Sequence, residues 1–121
     1  MKGYVTLGTN DLDSAARFYE QLLESIGVKR QREPPRAVYF GSESDTELVV
    51  ITPADGKSAT TGNGTMVALR IDNQKQIRKL HALAIKLGGT DEGAPGPRGV
   101  GTFWGAYFRD LDGNKLAFFT N

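Results

Sequence analysis

Histidine and cysteine, the residues that most often carry metal and nucleophilic chemistry, are almost absent from this sequence. There is one histidine, His81, and no cysteine. Without cysteine there are no disulfides, thiolate nucleophiles or sulfur-ligated metals. His81 lies in the apolar run Leu80, Ala82, Leu83, where a surface or boundary role needs no further partners. No serine or threonine has the histidine-plus-carboxylate set of a hydrolase triad. The segment Gly62-Asn63-Gly64 lacks the following lysine and hydroxyl residue of a phosphate-cradling loop. What the chain offers instead is cations beside aromatics. Arg98, Phe103, Trp104, Tyr107 and Arg109 follow one another closely. A ring can stack on a flat ligand, and an arginine can grip a carboxylate with two hydrogen bonds or cover a ring face. Trp104, the only tryptophan, suits a ligand contact or a dimer interface equally, with core packing as a third reading. Arg70 projects from a segment with apolar neighbours and calls for a carboxylate partner, from the protein or from a ligand.

An internal repeat shows which elements position these residues. Tyr4-Val5-Thr6-Leu7 matches Met66-Val67-Ala68-Leu69 at an offset of 62 (4 to 66). Both segments alternate as half-buried strands do. Each leads into a capping pair, Asn10-Asp11 or Asp72-Asn73, whose side chains can accept from the free amides of a starting helix. Leu12, Ala15, Phe18, Leu22 and Ile26 then recur at helical spacing, as do Ile77, Leu80, Ala84 and Leu87. The spacing predicts helices at about residues 11–26 and 73–87, ending on Gly27 and Gly88-Gly89. Later strands match at an offset of 68 (48 to 116): Tyr39-Phe40 with Tyr107-Phe108, and residues 48–52 with 116–120. Asp110 to Asn114 contains an Asp-Gly pair suited to a hairpin turn, and residues 42–46 are polar and turn-like in the first copy. The second copy has six extra residues, within a glycine- and proline-rich stretch at 88–105 that reads as loop. The expected organisation is a single domain: module one over residues 1–53, a surface connection at 54–64, and module two over 65–121.

Bulk properties narrow the function. With 24% charged residues and a net charge of +1, the chain has no electrostatic footprint for nucleic acid or an anionic membrane. No wholly apolar run exceeds four residues, as at 48–51 and 116–119, which is far short of a membrane span. The first residues read as strand rather than as a signal peptide. A cytoplasmic protein is expected. Lys29, Arg30 and Arg32 fall on what reads as an exposed edge strand, where charge blocks aggregation.

These features together resemble the vicinal oxygen chelate superfamily, which includes glyoxalase I, extradiol dioxygenases, fosfomycin-resistance enzymes and bleomycin-binding proteins. The resemblance spans essentially the whole chain. It rests on Val5-Thr6-Leu7-Gly8 with Asp11-Leu12 and Phe18-Tyr19, and on Gly62-Asn63-Gly64-Thr65. It rests further on Gly93-Ala94-Pro95-Gly96 and Arg109-Asp110-Leu111-Asp112-Gly113-Asn114. Relatives usually have proline where Leu111 stands. The resemblance implies an α+β fold of two βαβββ modules related by a pseudo-twofold axis, whose curved mixed sheets enclose a concave pocket. It also implies a homodimer, to which Trp104, Phe103 and the basic strand would contribute uncovered surface.

Metal-dependent members carry histidine or glutamine on the first strand of each module and glutamate on the last. The matching positions here are Tyr4 and Met66, then Val49 and Ala117. Val49 and Ala117 have no donor atom, Met66 offers only a soft thioether, and one tyrosine bond does not hold an ion. No metal and no cofactor are therefore expected. If Val5, Leu7, Leu48, Val50, Leu116 and Phe118 face the helices, the opposite parity faces the pocket. The wall is then Tyr4, Thr6, Val49, Ile51, Met66, Ala68, Arg70, Ala117 and Phe119, joined by Trp104, Tyr107 and Arg109. Such a wall fits a small-molecule site, and equally a second core in which these side chains fill the cup. The function expected is metal-free binding of a small aromatic or amphipathic compound, as in the bleomycin-binding members. The alternative is a glyoxalase-like lyase or isomerase with an atypical or absent metal site.

Overall fold

The computed structural model describes residues 1–42, 44–99 and 101–121. Glu43, in the expected turn at 42–46, and Val100, in the stretch at 88–105, lie outside the described residues. The chain divides into two compact units, Met1–Thr61 and Gly62–Asn121. The first runs β1 (Tyr4–Gly8), α1 (Leu12–Glu24), β2 (Arg30–Arg32), β3 (Ala37–Phe40) and β4 (Glu47–Ile51). The second runs β5 (Val67–Arg70), α2 (Gln74–Lys86), β6 (Thr90–Pro97), β7 (Trp104–Arg109) and β8 (Lys115–Thr120). Each unit has a four-stranded mixed sheet, in the order β1-β4-β3-β2 or β5-β8-β7-β6. The first and last strands of each unit pair in parallel and the remaining pairs are antiparallel. Val5 pairs with Leu48 and Val67 with Leu116, the partners that the two sequence offsets match.

Helix starts follow the capping residues. The Ser14 amide donates to Asp11 Oδ1 at 3.1 Å, and the Gln76 amide to Asn73 Oδ1 at 2.9 Å. These bonds satisfy donors that have no partner inside the helix. α1 buries Ala15, Phe18, Tyr19, Leu22 and Leu23, and α2 buries Ile77, Leu80 and Ala84. Against α1 lies the ring of Phe40, 6.3 Å from that of Tyr19. In the second unit Phe108 and Phe118, both fully buried, pack 5.2 Å apart. The left-handed residue after each helix is Gly27 (φ 76°) or Gly88 (φ 111°). Gly89, which the repeat aligns with Gly27, has a different reason to be glycine. A Cβ there would lie 2.8 Å from the Ala84 carbonyl oxygen and 2.9 Å from that of Arg109.

The stretch expected as loop is largely strand. β6 takes up residues 90–97 with Pro95 and Pro97 inside it, and β7 begins at Trp104. Proline cannot donate to a ladder, but β6 is an edge strand with only one neighbour to satisfy. Its register against β7 shifts between Asp91 and Gly93 and again between Gly93 and Gly96, which absorbs the extra residues. β2, the other outer strand beside a hairpin, has three residues. Its Arg30 pairs with Glu20 and, at 2.9 Å, with Glu33, so that end of the basic cluster is held by carboxylates. The closing turn of the second unit is built on Asp110, whose Oδ1 accepts from the amides of Asp112 and Asn114, both at 2.9 Å.

The capping bond makes a direct prediction. Asn73→Ala should lower unfolding stability in urea by about 1 kcal/mol, while Asn73→Asp, which keeps an acceptor, should stay close to the parent.

Candidate functional site

In the first unit the ladder registers decide which side chains share the face turned away from α1. Tyr4 lies beside Glu47, Thr6 beside Val49, and Tyr39 opposite Val49. Residues paired across a ladder point the same way. Tyr4 is 59% exposed and its ring stands 5.7 Å from that of Tyr39. The Arg32 guanidinium covers the Tyr39 ring at 4.0 Å and its Nη2 reaches Glu47 Oε1 at 3.3 Å. Val49 is completely buried, so it backs this face without offering surface. Glu47 is the residue that sequence reasoning missed. It is only 6% exposed, and its second oxygen, Oε2, is buried with no hydrogen-bond partner among the described residues. The signal was present: Glu47 precedes Val49 by two and therefore shares its face.

The second unit has a corresponding face. Ala68 pairs with Ala117, Arg70 with Phe119, Tyr107 with Ala117, Gly105 with Phe119, and Arg109 with Lys115. Phe103 stacks on Phe119 with centroids 5.4 Å apart and planes 10° apart. A Cβ on Gly105 would come within 3.3 Å of the Phe103 ring, so glycine makes room for the stack. Two cations stand at the Tyr107 ring, Arg98 at 5.4 Å and Lys115 at 5.5 Å. A Cβ on Gly93 would meet the Tyr107 ring at 2.8 Å and Arg98 at 3.2 Å. Arg109 is committed to Glu92 at 2.6 Å and to the Gly113 carbonyl at 3.1 Å. Ala117 is buried, whereas Met66, just before β5, is 42% exposed. Arg70 is exposed and has no ion pair or hydrogen bond among the described residues, so of its two expected partners, a carboxylate of the protein or of a ligand, the first is not found among them.

Trp104 departs from the sequence reading. It shares a face with Ala106 and Phe108, opposite to that of Tyr107 and Arg109. It is 8% exposed, and Arg78 of α2 sits 5.0 Å from its ring. Trp104 is thus part of the packing between helix and sheet. Trp104 is buried and does not supply the uncovered surface expected of it, whereas Phe103, stacked on Phe119, is half-buried. His81, expected at the surface or boundary, is instead buried: it is 8% exposed, with Nε2 3.1 Å from both Asp91 Oδ1 and the Tyr107 carbonyl. It ties α2 to β6 and β7. The Gly93 amide holds the Asp91 carboxyl below the usual aspartate range, and nearby His81 acts in the same direction.

The donor set at Tyr4, Val49, Met66 and Ala117 does not fit a metal. Two of the four have no lone pair to give. Among the described residues, no three histidine, cysteine, aspartate or glutamate side chains gather to hold an ion. What the two faces can do chemically is stack aromatic groups and attract negative charge.

Comparison with known proteins agrees with this architecture. The Glyoxalase/Bleomycin resistance protein/Dioxygenase superfamily model matches residues 3–118. A glyoxalase/bleomycin resistance protein from Albidiferax ferrireducens T118 is similar at 32% identity and a TM-score of 0.90, covering 98% of this chain and 96% of that one. A hypothetical protein from S. aureus shares 25% identity at a TM-score of 0.75, with 98% and 92% covered. A lactoylglutathione lyase from Agrobacterium tumefaciens, at 19% identity and a TM-score of 0.68 over 96% and 90%, is alike in fold. Among curated proteins, none matches.

The lowered Asp91 carboxyl gives a pH dependence of known sign. A carboxylate with a depressed folded pKa stabilises above its unfolded value, and that stabilisation is lost as pH falls through the folded value. Asp91→Asn should therefore be less stable than the parent at neutral pH, with the difference closing on acidification. Urea midpoints measured from neutral to acid pH check this, and a difference independent of pH would contradict it.

Proposed function

This chain belongs to the glyoxalase/bleomycin resistance protein/dioxygenase superfamily, and within it we propose that it is a metal-free protein that binds a small aromatic or amphipathic molecule. One observation carries the reading. The sheet faces that the helices leave open bear aromatic rings with cations beside them, and at two of the four positions where the family resemblance aligns metal ligands, Val49 and Ala117, the side chain has no donor atom. Tyr4, Tyr39 and Thr6 supply the first face, and Arg70, Tyr107 and Phe119 the second. Rings and cations of this kind recognise flat, negatively polarised ligands. Val49 and Ala117 back the faces, Met66 flanks one of them, and Arg109 holds its β-strand edge through Glu92 rather than meeting ligand.

The protein as proposed is cytoplasmic and works as a homodimer. None of its helices, among the described residues, is long and apolar enough to cross a membrane. Exposed Val5 on the outer strand β1 and exposed Met66 just before the outer strand β5 support self-association, in place of the Trp104 surface expected from the sequence.

Glu47 favours a second reading, a glyoxalase-like lyase or isomerase. Its buried carboxylate has one uncommitted oxygen on the same face as Tyr4, and such an oxygen can take up a proton from a bound substrate.

Calorimetric titration with naphthylacetate and with the uncharged naphthyl-ethanol separates the two. Binding is expected to saturate at one probe per chain, to need no added metal, and to weaken about tenfold in Tyr39→Ala. Absence of saturable binding together with glyoxalase-type turnover, lost in Glu47→Gln, would replace the binding reading with the enzyme.

A further inference from the structure

Two clefts in the first unit that share Arg36 extend beyond the ring-and-cation pairs described so far, meeting them only at Tyr39. One, of about 460 Å³, lies where β1 and β4 end and is lined by Thr9, Arg36, Thr52, Lys57 and Ser58 among others. The other, of about 310 Å³, is lined by Pro34, Pro35, Ala37, Tyr39 and Ile51, and again by Arg36. The first lining holds two cations, several hydroxyls and no acidic residue. The second is apart from Arg36 made of prolines, alkyl groups and one ring. Arg36 is the wall they share.

The segments that carry the two cations are fixed. The Thr52 amide donates to the Arg36 carbonyl at 3.0 Å, which locks Arg36 to the end of β4. Asn10 holds the far side: its Oδ1 accepts from the Ala59 amide at 2.6 Å and its Nδ2 donates to the Ala59 carbonyl at 3.2 Å. Between them the Lys57 amide donates to Asp55 Oδ1 at 2.9 Å. The side chains of Arg36 and Lys57 form no ion pair or hydrogen bond among the described residues. Two like charges lining one concavity without a carboxylate raise its potential and draw an anion. A guanidinium and an ammonium beside hydroxyls form the donor set for a carboxylate or a phosphate group.

We infer that the paired clefts take an amphipathic anion, with a carboxylate or phosphate head at Arg36 and Lys57 and an apolar body of one or two rings on Tyr39 and Ile51. Thr52 and Ser58 add hydroxyl partners for the head. The apolar cleft has the volume of a small ligand site, and Tyr39 belongs to the face proposed above for ligand contact. The inference rests on the small-molecule-binding reading and narrows its ligand class to anions.

Calorimetric titration of the full chain with naphthylacetate, naphthyl phosphate and naphthyl-ethanol tests it. Against the parent, at least one of the two anions should bind about tenfold more tightly than the alcohol, the worth of one charge-assisted hydrogen bond. Arg36→Gln and Lys57→Gln should each weaken the anion about tenfold and leave the alcohol within about twofold. Both residues are exposed, so the variants should fold, and Lys79→Gln on the exposed side of α2 should change nothing. If the double variant keeps the full anion preference, the inference is overturned while small-molecule binding stands. If no probe binds the parent saturably, both fail.

Discussion

In each unit a parallel ladder joins the first strand to the last, β1 to β4 and β5 to β8. A parallel pair requires a crossover, and here the crossover contains a helix that covers one face of the sheet. Every side chain on the first strand is thereby assigned either to the helix or to the opposite face. Leu7, Leu48 and Val50 go to the core of the first unit, and Leu116 and Phe118 to that of the second. Tyr4, Thr6, Arg70 and Phe119 go to the other side. A slip of one residue in either ladder would exchange the two sets and bury Arg70 against α2. The proposed ligand chemistry on the open faces therefore depends on the same hydrogen bonds that hold the sheets.

The open faces are not uniform. Glycines at 93 and 105 remove the volume that Arg98 and Phe103 then occupy, so ring and cation are seated against the sheet. Arg109 and Glu92 form a pair that is neutral as a whole, whereas Arg70, Lys115, Arg36 and Lys57 have no carboxylate partner among the described residues. Net charge hides this, because a chain at +1 still carries uncompensated cations on these faces and clefts. The donorless Val49 and Ala117 and the presence of such cations support the same proposal, that charge on a ligand is met by fixed side chains.

Much of this was legible in the sequence, for physical reasons. Helix starts are announced by Asp11 and Asn73, whose short side chains do one job well. The alternation of Val5, Leu7, Leu48 and Val50 gives the faces because strand periodicity is two. β6 was hidden because Pro95 and Pro97 are read as breakers, and only the edge position makes them tolerable in a strand. Trp104 falls in the glycine- and proline-rich stretch that reads as loop, where strand parity cannot choose between its three readings. Once β7 starts at Trp104, the parity that puts Tyr107 on the open face puts Trp104 on α2. Glu47 went unnoticed beside the donorless Val49, and the clefts at Arg36 are lined largely by loop residues, which carry no periodic signal.

The claim on which the functional account depends is that the family's metal site has been replaced here by fixed side chains. Elemental analysis of the purified protein, after incubation with zinc, nickel, manganese and iron and removal of free ion, measures this directly. The account predicts well under one ion per chain for every metal. A stoichiometric, tightly held ion would contradict it and return the chain to the metal-dependent enzymes of its superfamily.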